Sequence, residues 1–171
     1  MNLCAGRNAD TSSERLAQIR LIVADSLDEA GKISLTRSTM AWEAFRDLDC
    51  RFASDQFSGG SMESLIYGDC LTDRNLARIE ELRGGANTEL SYTEADRALN
   101  ENYQALRTVL DTQRQEALTD VQLAWIEYRD RNCAFEANYS PTFNGTEDQC
   151  LARMSEARAR DLRQSVQQNT L

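Results

Sequence analysis

Trp42-Glu43-Ala44-Phe45-Arg46-Asp47-Leu48-Asp49-Cys50 aligns with Trp125-Ile126-Glu127-Tyr128-Arg129-Asp130-Arg131-Asn132-Cys133. Both stretches read tryptophan, two residues, an aromatic, Arg-Asp, two residues and cysteine, so the chain carries one pattern twice. Each copy then runs through a polar segment to a second cysteine followed by leucine, Cys70-Leu71 and Cys150-Leu151, and later to Leu82-Arg83 and Leu162-Arg163. Upstream, Leu16, Val23, Leu27 and Leu35 correspond to Leu99, Leu106, Leu110 and Leu118. Residues 1–84 form the first module and 92–171 the second, with 85–91 as linker around Gly84-Gly85-Ala86-Asn87.

The apolar spacing is helical. Leu99, Tyr103, Leu106 and Leu110 fall on one face of an α-helix, and Val121, Trp125 and Tyr128 resume the spacing after a break. No glycine or proline occurs between Gly85 and Pro141, which favours helices over a sheet. The break is expected before Thr119-Asp120-Val121-Gln122, which reads as a capping box; in copy one Gly31 would stop the first helix and Thr36 would cap the second. The fold class is all-α, two tandem three-helix modules. The second helix ends at its cysteine and the third begins near the next one.

The five cysteines include no Cys-x-x-Cys, and the chain has no histidine, which removes the common zinc patterns. Repeat symmetry pairs Cys50 with Cys70 and Cys133 with Cys150, each tying helix two to helix three, and implies an oxidising compartment. Cys4 is left over, as a free thiol, an intermolecular bridge, the survivor of a lost pair or a lipid-bearing residue of the precursor. Met1-Asn2-Leu3-Cys4 has no basic, apolar leader, so the start is read as following signal removal. No apolar run is long enough to span a membrane.

The formal charge of −9 disfavours nucleic acid and anionic membrane surfaces and suits a cationic partner. Without histidine, Ser-His-Asp and Cys-His catalysis cannot be built within the chain. No phosphate loop or dinucleotide fingerprint occurs, so the reading is a binding protein, not an enzyme, with no metal and no cofactor.

Trp42/Trp125 and Phe45/Tyr128 sit three apart on one helical face and are assigned to the core. Arg46-Asp47 and Arg129-Asp130 have two readings, a structural pair stacked on the aromatics or a binding element. The segments between cysteines carry Phe52, Phe57, Gly59, Gly60, Ser61, Met62, Leu65, Ile66 and Tyr67 in copy one, and Phe135, Tyr139, Pro141, Phe143, Asn144 and Gly145 in copy two. Disulfide-anchored loops with aromatics are a common binding device, and the alternative is that these side chains fold back onto the helices.

The residues resemble the LprI-like lysozyme-inhibitor family of bacterial secreted proteins and lipoproteins. Copy two carries its Leu99-Asn100-Glu101-Asn102-Tyr103, Gln122, Trp125, Tyr128-Arg129-Asp130, Cys133, Cys150 and Ser155-Glu156-Ala157-Arg158. Copy one carries Trp42, Phe45-Arg46-Asp47, Cys50, Gly59-Gly60-Ser61 and Cys70. Copy one lacks Leu-Asn-x-x-Tyr, and copy two has Asn144-Gly145-Thr146 in place of Gly-Gly-Ser. The resemblance implies a periplasmic or extracellular lysozyme inhibitor, and the −9 charge suits a cationic one as target; the loop after Cys50, with its Gly59-Gly60-Ser61, supplies the partner-binding candidates Phe57, Gly59, Gly60, Ser61, Met62 and Tyr67. The rival is an envelope scaffold module without lysozyme activity; a carboxylate-dependent hydrolase comes third.

Overall fold

Two aspartates, not the threonines, divide the helices. In the computed structural model, which describes residues 2–86 and 88–170 with side chains from residue 6 on, the elements are α1 (Asn2–Asp25), α2 (Glu29–Asp55), α3 (Ser61–Leu82), α4 (Tyr92–Val109), α5 (Thr112–Tyr139) and α6 (Glu147–Asn169). Asp28 accepts from the Gly31 amide at the start of α2, and Asp111 from the Arg114 amide at the start of α5. Aspartate is a strong N-cap because its carboxylate takes an amide with no intrahelical partner. Thr36 and Thr119 therefore lie inside helices, their hydroxyls bonded back to the carbonyls of Lys32 and Gln115. Gly31 opens α2 instead of closing α1. The expected breaks at these residues are corrected to the repeat-equivalent Asp28 and Asp111.

The helices also overrun the cysteines. α2 continues from Cys50 to Asp55 and α5 from Cys133 to Tyr139, while α3 begins well before Cys70. Phe52, Met62, Leu65, Ile66 and Tyr67 are thus helical, and the loops shrink to 56–60 and 140–146. The disulfides pair as expected, Cys50–Cys70 and Cys133–Cys150, each with Cα atoms 5.4 Å apart. The Cys4 side chain lies outside those described.

Within each copy the first helix packs on the third, α1 on α3 and α4 on α6, while α1 stands off α2 and α4 off α5. The second helices turn to each other instead. α2 and α5 pack antiparallel along their length: Ser38 bonds Asn132, Phe45 meets Tyr128, and the Phe52 carbonyl meets Arg114. The two copies share one core, with Trp42, Phe45, Ile79, Leu82, Leu106, Leu118, Trp125, Tyr128, Phe135 and Leu162 all buried in it. The described residues contain no strand, and no helix among them is long and apolar enough to cross a membrane.

The chain reverses between copies at Arg83. The Gly84 amide donates to the Glu81 carbonyl and the Gly85 amide to Glu80, the paired bonds of a Schellman ending, with Gly84 at φ 109°.

Candidate functional site

The repeat places Phe45 and Tyr128 at equivalent positions, and the two rings stack on each other with centroids 5.8 Å apart. A residue touching its own equivalent is the mark of a two-fold axis, here an internal pseudo-dyad. The polar groups around it obey the same relation. Arg158, on α6, crosses to copy one, donates to Asp49 at 2.8 Å and lies over the Phe45 ring. Its equivalent Arg78, on α3, crosses to copy two, donates to Asn132 and lies over the Tyr128 ring. Asp49 also takes Arg74, and Arg78 also donates to Ser38. Burial alone would push the Asp49 carboxyl up, but Arg74 and Arg158 outweigh it and hold it below its ordinary value. Burial pushes the Tyr128 phenol well up, so it stays protonated and donates to Glu81. These side chains bond chiefly to one another, the buried Arg78 Nε excepted, and form the axle of the fold, not a surface for a partner.

Arg46 and Arg129 take the structural reading. Arg46 lies 4.8 Å over Trp42 and pairs with Asp47; Arg129 lies 5.1 Å over Trp125 and pairs with Asp130. In both copies the guanidinium covers the tryptophan that the core leaves at its edge.

The antiparallel α2–α5 pair sends the two cysteine loops to opposite ends of the molecule. α2 has 27 residues, so the ends are separated by about 40 Å. At one end, loop 56–60 turns at Gly59, φ 79°, whose amide donates to Glu63, and Gly60 begins α3 without a side-chain cap. Phe57 is 37% and Met62 43% exposed, Gly59, Gly60 and Ser61 are open to solvent, and Tyr67 is half-buried one helical turn further on. At the other end, loop 140–146 is clamped. The Thr142 hydroxyl donates to the Leu82 carbonyl, Thr146 and Gln149 form a capping box, and Phe143 lies under Arg153. Arg153 pairs with buried Glu136, whose carboxyl burial pushes up even beside the guanidinium. Phe135, named at the sequence level with the loop aromatics, is core.

A second surface emerges where α4 stands off α5. A groove of about 390 Å³ runs between them, lined by Asp96, Leu99, Asn100, Tyr103, Gln122, Leu123, Ile126 and Arg129. The Tyr103 hydroxyl meets the Thr119 hydroxyl at 3.1 Å, and Arg129 approaches Asp96 at 3.9 Å. Leu123 stands 61% exposed at its rim.

A family model for the lysozyme inhibitor LprI matches this chain twice, over residues 1–82 and 86–162. The chain belongs to the LprI lysozyme-inhibitor family. Both LprI copies therefore lie within the paired body described above, and the residues of copy two that carried the sequence resemblance, Leu99, Asn100, Tyr103, Gln122 and Arg129, line the α4–α5 groove. An uncharacterized protein from Burkholderia thailandensis, known from its crystal structure, shares the fold with a TM-score of 0.68 at 13% identity, over 97% of this chain and 86% of that one. No curated protein matches this chain.

Reading the sequence for loops missed the groove, because its residues are scattered over two helices and look like ordinary amphipathic positions. The signal was present in the Leu99-Asn100-x-x-Tyr103 stretch, which copy one lacks.

Proposed function

We propose that this LprI-family protein is an exported binding protein that inhibits a cationic muramidase. The observation that carries the reading is that both halves of the chain match an inhibitor family. Two properties support it. The chain carries a formal charge of −9, which accelerates encounter with a basic enzyme. The 56–60 loop, held by the Cys50–Cys70 disulfide, presents Phe57 and Met62 beside backbone that only glycine at Gly59 adopts without strain. In this reading Phe57, Gly59, Gly60, Ser61, Met62 and Tyr67 meet the partner, Phe57 and Met62 supplying the apolar anchors.

The test is lysis of a cell-wall suspension by basic lysozymes, with and without excess protein, at two salt concentrations. Inhibition is expected, weakening as salt rises past physiological strength, where charges act over about 8 Å. Replacing Phe57 and Met62 with alanine should weaken inhibition while leaving the melting temperature unchanged. Undiminished lysis with every lysozyme supports the scaffold reading instead.

A further inference from the structure

The pseudo-dyad supplies an internal control for the α4–α5 groove, because copy one has the same two helices in the same relation. There, Arg20 occupies the place of Tyr103 and Glu43 that of Ile126, and the two form an ion pair at 2.9 Å that bridges α1 to α2. Copy two has an aromatic and an aliphatic at these positions; the Tyr103 hydroxyl reaches Thr119, and a groove of about 390 Å³ remains beside that contact. The same scaffold is bridged by an ion pair of long side chains in one copy and by the shorter Tyr103–Thr119 hydroxyl contact beside an open groove in the other.

The rims differ as well. Along α5, Glu116, Asp120, Leu123, Glu127 and Asp130 follow one another at helical steps of four and three, so they share one face, and all five are exposed. Four carboxylates thus flank the exposed leucine. The corresponding residues of α2 are Ile33, Arg37, Met40, Ala44 and Asp47, with a single carboxylate. Cations near the open groove do not cancel the charge of the α5 face. Arg129 is spanned by Asp130 and Asp96, Arg131 is held by Glu127, and Arg107 lies against the Tyr103 ring. The groove's own lining holds one carboxylate, Asp96, and one guanidinium, Arg129; the other four carboxylates lie on the adjoining exposed face of α5, which meets the groove at Leu123.

We infer that the α4–α5 groove is a docking site for a basic, amphipathic protein segment, which sets an apolar side chain against Leu123 and Ile126 and its lysines or arginines against the flanking carboxylates. The mode is that of an amphipathic element laid in an apolar groove with charged rims, and charge complementarity selects a cationic occupant. The inference rests on the binding-protein reading above but not on the loop at residues 56–60, which lies on a different surface.

The probe is a short peptide of lysine and leucine, titrated into the intact isotope-labelled protein and followed by amide NMR. A glutamate–leucine peptide of the same length serves as control. Saturable shifts are expected around Tyr103, Leu123 and Ile126, weakening with salt and absent with the acidic peptide. Two variants address the groove by different means. Tyr103→Arg with Ile126→Glu installs the copy-one latch, and Asp120→Lys with Glu127→Lys reverses exposed charge without touching the core. Each should weaken peptide binding by about tenfold or more. Shifts centred on Phe57–Met62, equal binding of the acidic peptide, or wild-type affinity in the charge-reversed variant would overturn the inference. The two readings fail separately. Peptide binding in the groove with no lysozyme inhibited removes the inhibitor reading alone. Lysozyme inhibition without any peptide binding removes the groove alone.

Discussion

Copy one and copy two share a helical plan, a disulfide and a tryptophan–arginine stack, yet each keeps a different surface available. Copy one latches its interhelical groove with Arg20–Glu43 and leaves its glycine loop free. Copy two leaves its groove open and clamps its loop through Thr142 and Arg153. What the two copies share is the arginine at the axis between them, since each copy's Arg78 or Arg158 completes the buried polar set of the other. Duplication here yields one body in which the crossed arginines are kept, while the groups that receive them, Asp49 and Asn132, and the two outer surfaces differ.

The sharpest way to break that comparison is at the axis. Asp49→Ala leaves Arg158 buried without a carboxylate, while Arg74 keeps Asp161, and should cost about 3–5 kcal/mol in chemical denaturation. Asn132→Ala, at the equivalent position in copy two, removes a neutral acceptor from Arg78 and should cost less, about 1–3 kcal/mol. The same asymmetry sets a pH dependence. Because Asp49 titrates lower in the folded chain than in the unfolded one, its contribution is complete above about pH 4 and is lost as pH falls through its depressed folded value. Asn132 has no such titration, so Asp49→Asn should flatten the acid limb of stability against pH. An unchanged acid limb would show that the axis does not depend on ionised Asp49.

The repeat, the all-helical class, both cysteine pairs and the buried Trp42 and Trp125 were legible because each follows from spacing along the chain. The helix starts were misplaced because Thr119 and Gln122 satisfy a local capping rule that Asp111 satisfies better eight residues earlier. Comparing the copies would have found it, since Leu27-Asp28 and Leu110-Asp111 align. The packing of α2 on α5 was not legible. It is carried by Ser38 with Asn132 and by Phe45 with Tyr128, residues whose pairing depends on a partner far along the sequence. The open groove was hidden for a related reason. Whether α1 is latched to α2 turns on Arg20 and Glu43, a pair too distant in sequence to show a periodic signal.

Removing either disulfide by a double alanine substitution should cost about 3 kcal/mol, since both close loops of similar size, 20 and 17 residues. The local consequences should differ. Loop 140–146 keeps its bonds to Leu82 and its capping box, whereas loop 56–60 loses its main anchor. Amide hydrogen exchange should therefore accelerate in residues 56–62 of the first variant far more than in residues 140–146 of the second. Equal acceleration would mean that the clamp on loop two contributes nothing.

Glycine substitutions probe the two ends by a smaller amount. Gly84→Ala meets a left-handed backbone and places a Cβ 2.7 Å from the Thr142 carbonyl oxygen, so about 2–4 kcal/mol is expected. Gly59→Ala meets the backbone strain alone, with open space around the new methyl, so about 1–2 kcal/mol is expected. Thermal unfolding of the two variants side by side measures how much tighter the clamped end is.

The smallest effect is the most informative about what makes a groove a binding site. Arg20–Glu43 is a partly exposed pair, so replacing it should cost no more than about 1 kcal/mol. Arg20→Tyr with Glu43→Ile copies the open arrangement into copy one and should leave the melting temperature nearly unchanged. If open space between the helices were sufficient, this variant would gain a second site for the lysine–leucine peptide. It should not, because Arg37 and Ala44 stand on the α2 rim where Asp120 and Glu127 stand on α5. Adding Arg37→Asp and Ala44→Glu should then bring the second site into being, doubling the peptide stoichiometry measured by calorimetry. A second site already present before the carboxylates are added would assign recognition to shape and remove charge from the account.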